Sequence, residues 1–299
     1  MSILQSLVHV LLACTMPPLL LGVIGKTKAA FAGRVGAPLL QPYYDIAKLL
    51  RKGTVVSRTT TWVFRAGPVV GVATGLLAVA LVPLGGEQAL FSFPGDLVLF
   101  AYLFGLGRFF TVLAALDTGS AFEGMGGARE ATFSCFAEPA LFLGLLVLVK
   151  RSASTSLSTM LGAHWHGEAA SLVLVVVSLF IVLLAETCRI PFDDPNTHLE
   201  LTMIHEVMVL DHSGPALGII HYSASLKLFV LGALVVRIAA PRTGNVWGDW
   251  GVLVGGMLGL ALLVGAVESM MARLRLRQVP SLLVAACLLS AFGIVLIAR

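Results

Sequence analysis

The sequence predicts an all-α, polytopic membrane protein with about eight transmembrane helices, organised as a single integral membrane domain over residues 1–299. Hydrophobic residues make up 58% of the chain and charged residues 12%, with a mean hydropathy of +0.94. Soluble domains usually carry about 25% charged residues, so this chain has too few charges to cover a surface that faces water. The apolar residues also collect in segments close to the length of about 20 residues that spans a bilayer. Composition and segment length therefore exclude a soluble enzyme.

Eight apolar segments account for most of the chain. They run over residues 2–24, 62–83, 96–117, 131–149, 169–187, 215–238, 250–272 and 279–298. The first begins without a basic stretch and is longer than the apolar part of a signal peptide, so we expect it to be a span. The sixth is the least regular, because it contains His221 and Lys227.

The basic residues outside the spans are distributed unevenly between the two sides. Thirteen lie in the odd-numbered loops, and five lie in the even-numbered loops or at the C-terminus. Loops rich in lysine and arginine stay on the cytoplasmic side of a membrane. The odd-numbered loops are therefore expected in the cytoplasm, with both termini on the far side.

The first cytoplasmic loop contains an amphipathic stretch over residues 43–52. Its apolar side chains fall on one helical face: Tyr43, Ile46, Leu49 and Leu50. Its charged side chains fall on another: Asp45, Lys48 and Lys52. This pattern predicts a short cytoplasmic helix that lies at the membrane surface or packs against a partner protein.

Glycines form two further patterns. Small residues at four-residue spacing, at Gly71 and Gly75 and at Gly251, Gly255 and Gly259, predict close packing between helices. The third cytoplasmic loop, residues 117–130, is glycine-rich but lacks the spacing of a phosphate-binding loop. We expect a tight turn there and the close approach of a partner.

Four charged residues lie at least one helical turn from both ends of the predicted spans: Arg108, Glu138, Lys227 and Glu268. A charge at the centre of a membrane helix costs at least about 2.5–3.5 kcal/mol. Opposite charges at similar depth predict a polar, partly hydrated axis inside the protein. Static structural ion pairs are the alternative.

The loop after the fifth span is acidic, although the net charge of the chain is +4. Residues 186–211 contain six carboxylates: Glu186, Asp193, Asp194, Glu200, Glu206 and Asp211. Crowded carboxylates repel one another, so some take up protons near neutral pH and can pass them on. The alternative is a solvated acidic loop that docks a basic partner.

The same loop predicts a helix from His198 to about Asp211, capped by Asn196 or Thr197. His198, His205 and His212 would share one face, but neighbours about 10 Å apart cannot share one metal ion. The four cysteines are also scattered, without a pair at metal-ligand spacing. No metal site is predicted in this chain.

Three cytoplasmic segments carry a resemblance to a known family. They are residues 33–42 (Gly-Arg-Val-Gly-Ala-Pro-Leu-Leu-Gln-Pro) with Asp45 and Lys48, residues 127–130 (Gly-Ala-Arg-Glu) with Glu138, and residues 186–193 (Glu-Thr-Cys-Arg-Ile-Pro-Phe-Asp) with Glu200. With the eight-span layout, these segments resemble the complex I subunit 1 family, the membrane subunit beneath the peripheral redox arm. The stretch Arg-Ile-Pro-Phe-Asp is the most specific part.

One branch of that family is the most similar. Residues 200–208 (Glu-Leu-Thr-Met-Ile-His-Glu-Val-Met) resemble the membrane anchor subunit of energy-converting nickel–iron hydrogenases, including formate hydrogenlyase. Quinone-reducing relatives usually have a longer C-terminal part with a Pro-Arg-x-Arg-x-Asp motif. Here Arg273, Arg275 and Arg277 lead straight into the last span.

The resemblance implies an acidic proton path and a partner-contact surface. With the charged residues of the spans, the predicted proton path comprises Arg108, Glu130, Glu138, Glu186, Glu200, Glu206, Lys227 and Glu268. The predicted partner contacts, at the mouth of a chamber, comprise Arg34, Asp45, Lys48, Arg129, Arg189, Asp193 and Asp194. Arg108 and Lys227 are included on their burial alone.

The resemblance further implies a non-catalytic subunit of an oxidoreductase complex in the inner membrane of a prokaryote. It would bind no redox cofactor, since the nickel–iron centre and iron–sulfur clusters would belong to the hydrogenase large and small subunits and an iron–sulfur subunit. Antiporter-like membrane subunits would be its other partners. The chain would anchor the peripheral arm and couple electron transfer to the movement of H⁺ or Na⁺.

Two alternatives stay open at this point. One is a quinone-chamber subunit of an NADH:quinone oxidoreductase-like complex, with quinone as a ligand. The other is a passive membrane anchor without ion transfer.

Overall fold

The computed structural model describes residues 3–85, 88–162, 169–193, 203–240 and 243–298. Over these residues the regular secondary structure is helical throughout, which confirms the predicted fold class. The α-helices are α1 (Ile3–Phe31), α2 (Gln41–Leu50), α3 (Trp62–Leu81), α4 (Asp96–Asp117), α5 (Ala121–Ser152), α6 (Leu157–Gly162), α7 (Ala169–Glu186), α8 (Gly214–Ala239), α9 (Val246–Met270) and α10 (Val279–Ile297). Short 3₁₀ turns cover Glu206–Val209 and Leu276–Gln278.

Eight of the described helices are long and apolar enough to cross a membrane: α1, α3, α4, α5, α7, α8, α9 and α10 with the turn before it. They correspond one to one with the eight predicted spans. Length and hydropathy are local properties of a sequence, so they place spans without knowledge of the tertiary contacts.

Helix α8 lies at the centre of the bundle. It packs against α1, α2, α3, α7 and α9, and its residues from Leu228 to Ile238 are all buried. Its N-terminal half is less buried and faces α3, which in turn packs along α4. The functional groups described below lie where α3, α4, α5, α7 and α8 meet.

Helix α2 is the predicted amphipathic helix. Its apolar residues Tyr43, Ile46 and Leu49 are half-buried, and Leu49 packs on Gly218 of α8, where an added Cβ would lie 3.1 Å from the Leu49 Cβ. The Tyr43 hydroxyl donates to the carbonyl of Thr15 in α1. The inner face of α2 is therefore occupied by α1 and α8 of the same chain.

The glycine-rich segment differs from its prediction. Helix α5 begins at Ala121, so the expected loop over 117–130 is wrong beyond the short turn at residues 118–120. Gly126 does allow a close approach, but of the same chain: an added Cβ would lie 2.4 Å from Val207 Cγ1 and 3.0 Å from the carbonyl oxygen of Ile204. This glycine makes room for the segment after α7 rather than for a partner.

The other glycines divide into two groups. Gly71 and Gly75 of α3 pack on Ser223 and Leu226 of α8, in agreement with the prediction of close packing. Gly251, Gly255 and Gly259 of α9 have no described atom within 4 Å of an added Cβ. For these three, the prediction of helix packing is wrong within the described chain.

The helix predicted from His198 to Asp211 is wrong in its described part. Residues 194–202 lie outside the described residues, and over 203–211 the helical structure is limited to Glu206–Val209. Carboxylates take the backbone donors instead: Asp193 accepts from the Ile204 amide at 2.8 Å, and Glu123 accepts from the Asp211 amide at 2.9 Å. Asp193 and Glu123 therefore hold this segment from its two ends.

The close contact at Gly126 gives a stability prediction. We expect Gly126→Ala to lower the free energy of unfolding by about 1–3 kcal/mol, because the new methyl group overpacks the contact with Val207 and Ile204. Denaturant titration of the purified protein in detergent micelles measures this change.

Gly124, on the same helix, supplies the matched control, since an added Cβ there has no described atom within 4 Å. Gly124→Ala should be neutral or stabilising by up to about 1 kcal/mol, because alanine favours the helix. Equal effects of the two substitutions would contradict the packing argument.

Candidate functional site

The centre of the site is the buried guanidinium of Arg108 on α4. Its three nitrogen atoms each meet a different carboxylate: Nε lies 3.1 Å from Glu130, while Nη1 and Nη2 bind Glu138 and Glu186. Glu130 and Glu138 belong to α5, and Glu186 ends α7. The planar fork of arginine suits such multiple pairing, so one side chain joins three membrane helices.

Lys227 of α8 completes this charged cluster. Its ammonium group lies 2.7 Å from Glu186 Oε2, and 6.0 Å from the centre of the Phe104 ring. Glu186 is therefore shared between two cations, and its side chain is only 4% exposed. We call Arg108, Glu130, Glu138, Glu186 and Lys227 the Arg108 cluster.

The Arg108 cluster has unequal numbers of opposite charges. Three carboxylates face two cations, so the fully ionised cluster carries a net charge of −1. An unbalanced charge in an apolar interior is costly. Uptake of one proton, or of one monovalent cation, makes the cluster neutral. The cluster can therefore gain stability by binding such an ion, whereas a balanced ion pair cannot.

A cavity of about 100 Å³ lies beside the cluster. Arg108, Glu130, Glu186 and Lys227 line it, and its walls also include small and polar side chains: Gly67, Gly71, Thr74, Gly75 and Ser223. Its volume suits a few water molecules, since the walls offer the polar partners that buried water needs. The charged groups therefore border an open space with both polar and apolar walls rather than close packing.

Glu268 of α9 belongs to a second cluster. Its two oxygens bind Lys28 at 2.9 Å and Arg189 at 3.1 Å, and its side chain is 1% exposed. The sequence placed Glu268 on the same path as Arg108, but it is paired with other cations. This Glu268 cluster carries a net charge of +1 when all three groups are ionised.

Comparison with known proteins supports the family resemblance. Residues 3–299 match the family described as NADH dehydrogenase. The chain belongs to that family. It is 32% identical over 295 residues to formate hydrogenlyase subunit 4 of Escherichia coli (strain K12), covering 94% of both chains.

Further relatives lie in both branches of the NADH dehydrogenase family. Hydrogenase-4 component C of Escherichia coli (strain K12) is 31% identical over 79% of this chain and 75% of its own length. One NADH-quinone oxidoreductase subunit, from Burkholderia ambifaria (strain MC40-6), is 26% identical over 69% of this chain and 61% of its own length. These relatives and the eight apolar helices identify a multi-pass membrane protein.

A solved structure shares the fold. A chain of the membrane-bound sulfane sulfur reductase, an archaeal respiratory membrane complex, superimposes with a TM-score of 0.85 and covers 98% of both chains. At 20% sequence identity, this likeness concerns the fold alone.

Three of the predicted partner-contact residues bond within the chain. Arg129 donates to the Met203 carbonyl at 2.7 Å, Asp193 binds Arg273 at 2.9 Å, and Arg189 belongs to the Glu268 cluster. Together they attach the segment after α7 to α5, α9 and the residues that follow α9. These side chains hold the loop in its conformation through bonds within the chain, so a partner would contact a surface that this chain forms by itself.

The remaining predicted residues lie in different surroundings. Arg34, Asp45 and Lys48 are exposed, and Asp45 accepts from Gln41 Nε2 at 2.9 Å. Glu206 is half-buried in the short turn Glu206–Val209. Asp194 and Glu200 lie outside the described residues.

Several residues of the site have no clear signal in the sequence. Cys188 lines the cavity, and burial raises the pKa of its thiol well above the ordinary value, with the nearby carboxylates of Glu130 and Asp193 adding to the shift. The thiol is therefore neutral at physiological pH. In the described parts of the chain, no three His, Cys, Asp or Glu side chains gather in a way that could hold a metal ion.

The pairing of Arg108 gives a second stability prediction. We expect Arg108→Leu to lower the free energy of unfolding by about 3–5 kcal/mol, because three carboxylates lose their shared partner. Adding Glu186→Gln should recover part of the loss, with a coupling energy of about 0.5–3 kcal/mol.

Denaturant titration in micelles measures both effects, and the exposed Arg277 provides the control, since Arg277→Leu should change stability by no more than about 0.5 kcal/mol. Strictly additive effects of Arg108→Leu and Glu186→Gln would show that the two residues do not act as a pair.

Proposed function

We propose that this chain is an ion-translocating anchor subunit of a membrane-bound, hydrogenase-type respiratory complex. It holds the peripheral hydrogenase and iron–sulfur subunits and couples their electron transfer to movement of H⁺ or Na⁺. The 32% identity to formate hydrogenlyase subunit 4 over nearly the whole chain supports the type of complex. The Arg108 cluster, with one more carboxylate than cations beside a cavity that its charged groups line, is the observation that carries the coupling role.

The proposed ion path uses the excess acid of the cluster. A proton that arrives through the cavity meets Glu130 or Glu186 first, since both line the cavity. Arg108 binds both of these acids and also Glu138. A proton bound at one acid therefore changes the charge balance at the others through a single shared cation.

Glu138 marks the place where the path leaves the chain. Its side chain is 45% exposed, although it lies seven residues beyond residue 131, where the predicted span begins, about 10 Å along the helix. Acids at such depth face a protein interior or a water-filled space rather than lipid. We infer that an adjoining, antiporter-like membrane subunit covers this face and receives the ion.

The remaining assignments follow the same proposal. The chain acts as one membrane domain in a prokaryotic inner membrane, with the odd-numbered loops in the cytoplasm, where the excess of basic residues lies. The large and small hydrogenase subunits and the iron–sulfur subunit dock on that side. The nickel–iron centre and the iron–sulfur clusters belong to those partners.

A quinone-chamber function is the second candidate, because one of the relatives is a subunit of NADH-quinone oxidoreductase. The cavity beside the Arg108 cluster is about 100 Å³, well below the roughly 300–1,000 Å³ of typical organic-ligand pockets. Within this chain, the cavity suits water better than a quinone head group.

Neutralising Glu186 tests the coupling role. We expect Glu186→Gln, in the intact complex reconstituted in liposomes, to retain hydrogen evolution but to lose ion translocation by about tenfold or more, because a proton-transferring group is removed. Hydrogen formation and the transmembrane pH difference are measured on the same vesicles.

Asp96→Asn supplies the control, since Asp96 is a fully buried acid on α4 outside the Arg108 cluster, and asparagine keeps an oxygen for the Leu157 amide. Full translocation by Glu186→Gln would leave a passive anchor as the better description.

The composition of the complex tests the partners. Cys135 is exposed on α5, three residues before Glu138, and provides a native attachment point for a photo-crosslinker. With the other cysteines replaced by serine, we expect a probe on Cys135 to crosslink to a second membrane subunit. The purified complex should also contain nickel and iron.

Crosslinking to lipid alone would mean that no partner covers Glu138. Flavin and quinone without nickel would move the chain to the NADH dehydrogenase branch of function.

A further inference from the structure

His212 lies in the wall between two cavities. The inner cavity is the one beside the Arg108 cluster, and His212 lines its outer end. A second cavity of about 340 Å³ is lined by Thr54, Val56, Phe64, Arg65, His212, Ser213 and Ala216. Thr54 and Arg65 are exposed, so the outer cavity lies next to the surface that carries the odd-numbered loops.

The two cavities follow one another along α3. Phe64 lines the outer cavity, and Gly67, Gly71 and Thr74 line the inner one. From Phe64 to Thr74 the helix rises about 15 Å, at 1.5 Å per residue. Gly67 and Gly71 line the inner cavity and also pack closely on Ala114 and Ser223. Because His212 lines both cavities, the two spaces together follow α3 from Arg65 towards Arg108.

The two cavities share one lining residue, His212. The imidazole of His212 stacks flat on the Phe64 ring, with centroids 3.9 Å apart and planes within 9°. Both side chains are buried, at 5% and 3% exposure. We propose that the stacked rings of His212 and Phe64 form a gate that admits water and protons from the outer cavity to the Arg108 cluster when the imidazole turns away.

The chemistry of His212 suits a part that moves. Burial lowers its pKa to about 4, against an opposing influence of Asp211, so the ring is neutral at physiological pH. Its Nδ1 atom has no hydrogen-bond partner among the described residues. The closed position therefore leaves a polar atom unsatisfied, although the ring keeps its stacking contact with Phe64. A ring turned towards water gains a hydrogen bond, so the two contributions favour different positions of the imidazole.

The gate is attached to the segment after α7. Asp211, next to His212, donates its amide to Glu123, and Gly214 follows with a positive φ of 54°. A glycine at this position allows the backbone to turn sharply into α8. A partner that shifts residues 203–211 would carry the imidazole with them.

Cys188 is a native reporter of the gate, because its thiol lines the inner cavity. The intact complex is used with Cys14, Cys135 and Cys287 replaced by serine, and the alkylation rate of Cys188 by iodoacetamide is measured at one fixed, mildly alkaline pH. Burial keeps this thiol protonated while the gate is closed, whereas water that enters through an open gate favours the reactive thiolate. Minor open states usually hold about 0.1–10% of the population, so His212→Ala should raise the rate at least about tenfold. Phe64→Ala should act in the same direction.

Two matched variants complete the experiment. His212→Phe keeps a stacked ring and should leave the alkylation rate as in the parent chain. Ser213→Ala alters only the outer cavity and should also leave the rate unchanged. Equal rates for the parent chain, His212→Ala and Phe64→Ala would overturn the gate, and so would equal rates for His212→Ala and His212→Phe. The gate serves the proposed ion path, but its opening is measured without any ion or hydrogen assay, so failure of the gate and failure of the function are distinguishable.

Discussion

The pairing of Arg108 is the interaction on which the arrangement of this bundle depends. A guanidinium inside a membrane protein must be neutralised by partners, because lipid offers none. Its planar group reaches Glu130, Glu138 and Glu186, which come from two other helices. Glu186 then extends the same constraint to Lys227 on the central helix. The relative depth and rotation of four helices are thus fixed by one set of charges.

The number of opposite charges distinguishes the Arg108 cluster from a balanced ion pair. A balanced pair gains nothing from a proton, whereas the Arg108 cluster has one acid too many. The Glu268 cluster has one cation too many, in Lys28 and Arg189. Arg189 follows Glu186 by three residues, so a change of charge in one cluster alters the potential at the other. The two clusters together are neutral, which lets the protein hold unbalanced charge locally at a tolerable cost.

The sequence predicted the spans and singled out the charged residues within them, since both signals are local: hydropathy places a helix, and a charge inside a span stands out by its cost. It did not predict which charges pair. Glu268 lies on α9 and binds cations from two other parts of the chain, a long-range choice that no spacing encodes. The helix expected to end at Asp211 is absent from the described residues for a related reason. Asp193, 11 residues before Ile204, and Glu123, 88 residues before Asp211, accept the amide groups that a helix would use.

The loop residues expected at a partner surface lead to a mechanical conclusion. Arg129 and Asp193 fix the start of the segment 203–211, and Glu123 fixes its end. A segment held at both ends moves as a unit. Coupling between distant sites requires an element with two arrangements that both sites bias. This segment lies over the cavity through Met208 and Val209 and leads into His212. Under the proposed function, a redox-linked push from a peripheral partner would reach the Arg108 cluster by moving a wall of its cavity, with no change in the ion pairs themselves.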